Sequence, residues 1–342
     1  MRGTFFIGKE QFEVREFELP PPGENDLVIK NMACGVCGTD VHIYHGEPGS
    51  AEVTPPVVIG HEYSGVVEEV GALVKGFNRG DRVTIDPNIY CGSCRYCRIG
   101  KKQLCEKMGA VGVNRNGGFA EYSLVPEKQA HLLGENVDFE TGAMAEPLAC
   151  CVHGIDLAGI KTGDTVLIIG GGAIGLLMTQ LAKLSGASRV IVSEPVEKRR
   201  EVAYALGADA CFDPFKTDPA KEIFKFTNKK GADVVIECAG QNAATRQAFD
   251  AAAKGATVLL FSVPPVGAEF NLPLHDVFMK ELTIRGSFVN PDTHSRAVEL
   301  LNAGKIDVKP LITHRFGLNE AETAIKTQMS GDSIKVLIKP WS

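Results

Sequence analysis

The sequence predicts an α/β protein built from two parts, a β-rich module with loops and a doubly wound parallel sheet. The chain has 342 residues, which is too long for one compact core and fits two domains. Residues 1 to about 147 contain short β-branched runs separated by glycine and proline, a pattern typical of strands and turns. From about Thr165 apolar strands alternate with helical patterns, and this alternation indicates a parallel sheet.

The predicted elements follow that division in order. In the first part, strands are expected at Val57–Ile59 and Val66–Val70. In the second part, a buried strand at Thr165–Ile169 leads through Gly170–Gly172 into an amphipathic helix. The remaining predictions are strands at Arg189–Ser193, Asp233–Cys238, Thr257–Phe261 and Ile334–Ile338, and helices at Glu197–Leu206, Ala243–Ala253 and Thr293–Ala303. We therefore expect domains at 1–147 and 148–288, with 289–342 returning to the first domain.

Composition and charge narrow the functional classes. The net charge is −6 and no run of Lys and Arg stands out, so nucleic-acid binding is not expected. Lys9, Glu10 and Glu13 interrupt the N-terminal apolar run, which argues against a signal peptide. No apolar stretch reaches the roughly 18 residues of a membrane span. We expect a cytoplasmic protein, in which clustered cysteines among the ten are metal ligands rather than a disulfide framework.

A glycine-rich motif predicts a dinucleotide site. The motif follows a buried strand and opens a helix, and its residues are Gly170, Gly172, Ala173, Ile174 and Gly175. The glycines permit a tight turn, close approach of the backbone to a pyrophosphate, and packing of helix against strand. The N–H groups of the helix N-terminus favour the negative phosphates.

The end of the next strand predicts the cofactor preference. Glu194 lies nineteen residues past Gly175, where a carboxylate bonds the ribose 2′-hydroxyl and repels a 2′-phosphate. We therefore expect NAD rather than NADP. Lys198 and Arg199 lie close by and could instead accommodate NADP. The alternative interpretation is a plain strand–turn–helix with a solvated Glu194, which the sequence context disfavours.

Four cysteines in one short segment predict a closed metal site. Cys91, Cys94, Cys97 and Cys105 form C-x2-C-x2-C-x7-C within a lobe of about 88–108. Four thiolates can surround one tetrahedral zinc ion and leave no open position, which is the arrangement of a structural site. An iron–sulfur cluster is the rival interpretation, but the C-x2-C-x2-C-x3-C-P spacing is absent. Four unligated thiols are a further alternative.

A second set of candidate ligands is dispersed along the first part of the chain. It comprises Cys37 in Cys-Gly-Thr-Asp, His61 and Glu62 in Gly-His-Glu, and Glu146 in Ala-Glu-Pro. Each is unremarkable alone, since a lone histidine is more often a core or surface residue than a ligand. Together they offer one thiolate, one imidazole and two carboxylates, and three protein ligands plus an open position is the pattern of a catalytic zinc site. Cys34 is expected to be a small buried residue instead.

The order of these motifs is similar to that of the zinc-containing medium-chain dehydrogenase/reductase superfamily over essentially the whole chain. The resemblance implies a GroES-like catalytic domain, an inserted Rossmann domain, and an active site in the cleft between them. It also implies that Cys37, His61 and Glu62 ligate the catalytic zinc, with Glu146 as fourth ligand or bonded through water. The alcohol dehydrogenase branch has a cysteine at the position of Glu146. The Glu-Pro-Leu of this chain is similar to the sorbitol and threonine dehydrogenase branches instead.

The resemblance further implies roles for residues around the reacting groups. Thr39 and His42 are the candidate proton relay, similar to the hydroxyl–ribose–histidine path of the superfamily. The alternatives are a local turn former for Thr39 and a surface residue for His42. Val263 and Phe288 are expected near the nicotinamide. A homodimer or homotetramer is expected.

The substrate branch is left open by conflicting motifs. Val192–Pro195 and Cys37–Tyr44 look like threonine dehydrogenase, whereas Glu281–Phe288 and Gly304–Phe316 look like the polyol enzymes. Mammalian-type sorbitol dehydrogenases carry an Arg-Tyr pair where this chain has Val289 and Asn290, which argues against sorbitol itself. We expect oxidation of a secondary alcohol, a small polyol or a derivative, to a ketone with hydride transfer to NAD. The alternatives are L-threonine 3-dehydrogenase and a non-catalytic structural or regulatory relative.

Overall fold

The computed structural model describes every residue from Met1 to Ser342. The chain divides into two compact units. One unit combines Met1–Ala149 with Val289–Ser342, and the other is Cys150–Phe288. No helix is long and apolar enough to span a lipid bilayer.

The N-terminal segment is mainly β-structure with short helices. Its strands are β1 (Arg2–Gly8), β2 (Gln11–Glu16), β3 (Asp26–Gly35), β4 (Val57–Val58), β5 (Glu62–Val70), β6 (Arg82–Ile85), β7 (Asn88–Ile89), β8 (Gly109–Ala110), β9 (Tyr122–Pro126) and β10 (Ala130–Leu132). Its helices are α1 (Gly38–Tyr44), α2 (Arg95–Arg98), α3 (Phe139–Ala143) and α4 (Ala145–Ala158). Helix α4 carries the chain from the first unit into the second.

The second unit alternates strands and helices. Its elements are β11 (Thr165–Ile169), α5 (Ala173–Leu184), β12 (Arg189–Ser193), α6 (Glu197–Ala205), β13 (Ala210–Phe212), α7 (Pro219–Phe226), β14 (Ala232–Glu237), α8 (Asn242–Ala251), β15 (Ala252–Leu260), α9 (Leu274–Lys280) and β16 (Thr283–Gly286). The strands form one parallel sheet in the order β13-β12-β11-β14-β15-β16. All five residues of β11 are buried, as expected for a strand covered on both faces. The predicted α/β class is confirmed.

The C-terminal segment contributes α10 (His294–Asn302), β17 (Ile312–Phe316), α11 (Ala321–Met329) and β18 (Lys335–Ile338). Strand β18 pairs with β3, so the last strand joins the main sheet of the N-terminal segment. That sheet has the order β10-β6-β5-β3-β18-β17, and β9 also pairs with β3. A smaller sheet has the order β2-β1-β4, and β7 pairs with β8.

The sequence patterns predicted β11 and β12 with the bounds that the structure shows. Within the second unit they missed β13, β16, α7 and α9, and they misplaced the junction between α8 and β15. The predicted helix Ala243–Ala253 ends at Ala251, and β15 begins at Ala252 rather than Thr257. Alanine favours helices, but here Ala252 pairs with Ala232 on β14. Tertiary pairing therefore overrode local preference at this junction.

Candidate metal and cofactor sites

The four lobe cysteines converge on one point. Their ligand atoms all lie within 4.8 Å of one another. Backbone N–H groups donate to the sulfurs, from Cys94 to Cys91 at 3.3 Å and from Lys107 to Cys105 at 3.4 Å. Hydrogen bonds from the backbone N–H groups of Ser93 and Cys94 lower the pKa of Cys91 to about 6, which favours its thiolate form. This donor set fits a tetrahedral zinc ion with all positions filled.

The second candidate set converges as well. The ligand atoms of Cys37, His61 and Glu62 lie within 4.8 Å of one another. Strand pairing explains the approach, because Gly35 at the end of β3 lies opposite Glu62 at the start of β5. Cys37 follows β3 as the N-cap of α1, which places it beside the His61–Glu62 pair. One thiolate, one imidazole and one carboxylate suit zinc and leave room for a further ligand.

A buried aspartate supports this set. Asp40 is fully buried, and its Oδ2 accepts a hydrogen bond from the Cys37 N–H at 2.8 Å. Its Oδ1 lies 3.4 Å from Nδ1 of His61. Burial opposes protonation of His61, but the charges of Asp40 and Cys37 outweigh it and raise the pKa of the imidazole. With Nδ1 facing Asp40, Nε2 is the ring atom free for a metal, which is the usual carboxylate–histidine–zinc arrangement.

A buried lysine supports Glu62. The Nζ atom of Lys335 forms an ion pair with Oε2 of Glu62, and both side chains are almost completely buried. Gly35 makes this approach possible, because a Cβ at that position would overlap Glu62 Oε2 and lie 2.8 Å from Lys335 Cε. The lysine charge offsets the carboxylate, which would otherwise be a costly isolated charge in the core.

The structure places the remaining predicted residues of this region as follows. Glu146 is buried in the first turn of α4, but it is not among the three residues whose ligand atoms converge. Thr39 and His42 lie three residues apart on α1 and therefore share one helix face. His42 is half-buried, and its Nδ1 lies 2.6 Å from Oε2 of Glu47.

Cys34 and Asn290 both lie in the core. Cys34 is fully buried, and burial raises the pKa of its thiol well above the usual value. Asn290 is fully buried too, and its Oδ1 accepts a hydrogen bond from Nδ2 of Asn88 at 2.5 Å. Its own Nδ2 donates to Asp86 at 3.4 Å. Burial raises the pKa of Asp86 to about 6. Asn290 therefore anchors the C-terminal segment to the start of the lobe.

The glycine turn fits a dinucleotide. Gly175 is necessary, because a Cβ there would overlap the carbonyl oxygen of Gly170, whereas a Cβ at Gly172 would meet open space. Helix α5 begins at Ala173 and runs through Ile174, so its free N–H groups border that space. Glu194 follows β12 and is buried. Its carboxylate accepts hydrogen bonds from the N–H groups of Gly171 at 2.5 Å and Val196 at 2.8 Å.

The neighbouring cations differ in their availability. Lys198 is exposed and Arg199 is half-buried. Arg200 donates to the carbonyl oxygens of Glu194 and Pro195 at 2.7 and 2.6 Å, so it is engaged with the backbone. On the side of the sheet away from β12, Val263 follows β15 and Phe288 follows β16, and both side chains are exposed.

Three supporting residues were not predicted from the sequence. Asp40 belongs to the Cys37–Asp40 motif, and its spacing as a capping residue was a usable signal. Nothing in the sequence pointed to Glu47 except its position five residues after His42. Lys335 carried none, because it reaches Glu62 only through the pairing of strands distant in sequence.

Comparison with known proteins gives a consistent picture over the full length. Residues 23–135 match the alcohol dehydrogenase GroES-like domain, and residues 173–303 match the zinc-binding dehydrogenase domain. The chain is 37% identical to sorbitol dehydrogenase of Halalkalibacterium halodurans, over 97% of each chain. It is also 37% identical to L-threonine 3-dehydrogenase of Pyrococcus furiosus, over 95% of this chain and 94% of that one.

A solved structure is similar throughout. A protein described as a zinc-binding dehydrogenase, from Sinorhizobium meliloti 1021 and bound to NADP, superimposes with a TM-score of 0.95. The two sequences are 42% identical, and the match covers 99% of each chain.

Proposed function

Because this chain belongs to the zinc-containing medium-chain dehydrogenase family, we propose that it oxidises a secondary alcohol to a ketone and reduces NAD. Its cofactors are zinc and a nicotinamide dinucleotide. The substrate that we propose is a small polyol or a related hydroxy compound. The observation that carries the proposal is the convergence of Cys37, His61 and Glu62, which a purely structural protein would not need.

Each residue of the site has a proposed task. Cys37, His61 and Glu62 hold the zinc ion, and Glu146 contributes a further oxygen directly or through water. When bound, zinc acts as a Lewis acid that polarises the substrate oxygen. Asp40 orients His61, and Lys335 holds Glu62 in place.

Helix α1 provides the proposed proton path. Thr39 and His42 share one face of the helix, and Glu47 fixes the imidazole of His42. His42 is partly exposed, so it can exchange a proton with bulk water. The nicotinamide cofactor supplies the hydride acceptor. Val263 and Phe288 are proposed to contact its nicotinamide end.

We propose NAD as the preferred cofactor because of Glu194. A 2′-phosphate beside this buried carboxylate would add repulsion between like charges. The bacterial relative with NADP bound makes this the point to test first. Replacement of Glu194 by Gln should weaken the binding of NAD and allow NADP to bind. A wild-type preference for NADP would show that Lys198 and Arg199 control the pocket.

The relatives support two substrate classes. Identity to sorbitol dehydrogenase and to threonine dehydrogenase is equal. The burial of Asn290 argues against sorbitol, because this residue cannot act as the polar group that mammalian-type enzymes place there. The deciding experiment is an NAD-reduction screen across polyols, polyol phosphates, threonine and short diols. Activity on threonine alone would overturn the polyol assignment, and no activity would favour the non-catalytic alternative.

The proposed assembly is a homodimer or homotetramer. Edge strand β16 is exposed along its length, and the neighbouring helix α9 exposes Leu274 and Phe278. A second copy of the chain would cover this edge and these apolar side chains. None of the ten cysteines forms a disulfide, which is consistent with the proposed cytoplasmic location. Light scattering of the purified protein tests the assembly.

A further inference from the structure

A second buried carboxylate lies on the opposite side of the glycine turn from Glu194. It belongs to Glu237, the last residue of β14, whose exposed fraction is 1%. Strand β11, which leads into the turn, lies between β12 and β14 in the sheet. The carboxyl ends of these parallel strands meet at the edge where such sheets bind ligands. Glu194 and Glu237 therefore flank the turn.

The hydrogen bonds of Glu237 join two loops. Its Oε1 accepts from the N–H groups of Ala239 at 2.6 Å and Gly240 at 2.8 Å, which fixes the loop after β14. Its Oε2 accepts from the hydroxyl of Ser262, just after β15. Its carbonyl oxygen also accepts from the N–H of Ser262 at 3.1 Å. One buried side chain thus fixes both loops.

The first of these loops lies directly against the glycine turn. A Cβ at Gly170 would be 3.3 Å from the Cβ of Ala239, and the N–H of Cys238 donates to the carbonyl of Ile169 at 2.8 Å. The second loop begins with Ser262 and continues to the exposed Val263. The position of Val263 relative to the turn therefore depends on Glu237.

We propose that Glu237 is a positioning residue for the dinucleotide, acting through the loops at 238–240 and 262–263. This inference rests on the proposed dinucleotide site at Gly170–Gly175. Glu237 holds the two loops at a fixed separation before the cofactor arrives, so the cofactor does not have to order them. A burial role alone would make Glu237 important for folding but not for cofactor affinity.

The test measures NADH affinity by isothermal titration calorimetry, well below the melting temperature of each variant. Glu237→Ala leaves two N–H groups without their acceptor and should raise the Kd roughly 10-fold, since small misplacements at such sites are costly. Glu237→Gln keeps an acceptor oxygen and should remain within about threefold of wild type. Ser262→Ala removes one of the two links and should raise the Kd about threefold.

Asp233→Ala is the control variant. Asp233 lies near the opposite end of the same strand, and its carboxylate accepts from the N–H of Thr165 at 2.8 Å. This variant should lower the melting temperature and leave the Kd for NADH unchanged. The inference is overturned if folded Glu237→Ala binds NADH like wild type, or if Asp233→Ala weakens binding equally. If Glu237→Ala does not fold, an unchanged Kd in Ser262→Ala overturns it. Wild-type protein that fails to bind NADH would instead refute the dinucleotide site itself.

Discussion

The two candidate zinc sites of the first unit differ in where their ligands come from and in what stabilises those ligands. The four-cysteine lobe takes its ligands from fifteen consecutive residues, Cys91 to Cys105, and stabilises the sulfurs with backbone N–H groups. The Cys37/His61/Glu62 site takes its ligands from two segments that strand pairing brings together. It is supported by the buried side chains of Asp40 and Lys335.

This difference has a physical consequence. Four thiolates and local backbone hydrogen bonds give a site that needs little from the rest of the fold. A site with three mixed ligands depends on distant charges and keeps a position open, so its metal should be held less firmly. The same features that make the second site useful for chemistry also make it more sensitive to substitution.

Brief treatment with a chelator should produce the largest difference between the two sites. We expect activity to be abolished while one zinc ion per chain and the fold remain, because the open site exchanges its metal faster. Metal analysis, circular dichroism and turnover on one treated sample check this. Simultaneous loss of both metals, or activity that survives loss of one, would contradict the division into closed and open sites.

Removal of the Lys335 charge should have the next largest effect. Lys335→Met leaves the Glu62 carboxylate buried and unpaired, which typically costs about 3–5 kcal/mol of stability. Because zinc would compensate that carboxylate, the metal should stabilise this variant more than it stabilises wild type. The measurement is the melting temperature with and without zinc.

Lys335→Arg is the matched control for this prediction. It retains a cation, although the guanidinium is larger and must fit a fully packed position. Its zinc-dependent increase in melting temperature should be close to that of wild type. Equal increases for Lys335→Met and wild type would show that the ion pair does not influence the metal site.

Local spacing explains how much of this could be predicted from the sequence. The lobe needed one short motif, and the glycine turn needed a motif with a strand before it. The three ligands Cys37, His61 and Glu62 were identified through family resemblance, since nothing in their spacing alone brings them together. Lys335 could not be identified, because its partner lies 273 residues away in sequence and only the pairing of β18 with β3 brings it close. Long-range pairing is the information that a local pattern lacks.

Asp86, which contacts Asn290 beside the four-cysteine lobe, should have a smaller effect on stability. Asp86 follows β6 and contacts Asn88 and Asn290, and burial raises its pKa from 3.8 to about 6. The folded state therefore holds its proton more tightly than the unfolded state, so stability falls as the pH rises from about 4 to about 6. The shift corresponds to roughly 3 kcal/mol.

The variant Asp86→Asn tests this assignment. It keeps an oxygen that can accept from Asn88 and removes the charge, so stability should change less between pH 4 and pH 6.5 than in wild type. Urea unfolding at several pH values measures the difference. An unchanged pH profile would show that Asp86 is not responsible. Zinc in the lobe should be retained in either case, which distinguishes anchoring from ligation.

The smallest predicted effect concerns Glu146, where the family branches differ. If Glu146 contributes an oxygen to the open site, Glu146→Ala should lower turnover roughly 10–100-fold and weaken zinc retention, with little change in NAD affinity. The competing explanation is a helix role, because Glu146 lies in the first turn of α4, where a carboxylate stabilises the N-terminus. A helix role predicts a lower melting temperature with normal zinc content and normal turnover.

Two further variants decide between these explanations for Glu146. Glu140→Ala is the matched control, since Glu140 lies in the first turn of the neighbouring helix α3 and pairs with Arg315 and Lys339 rather than with the site. It should lower stability and leave zinc and turnover unchanged. Glu146→Cys reproduces the ligand of the alcohol dehydrogenase branch and should retain zinc while turnover changes, because a thiolate is a good zinc ligand but alters the charge available to the substrate oxygen. Zinc content is the decisive quantity. If Glu146→Ala keeps the zinc of the open site as firmly as Glu140→Ala does, Glu146 supports the helix, and three residues suffice to hold the metal.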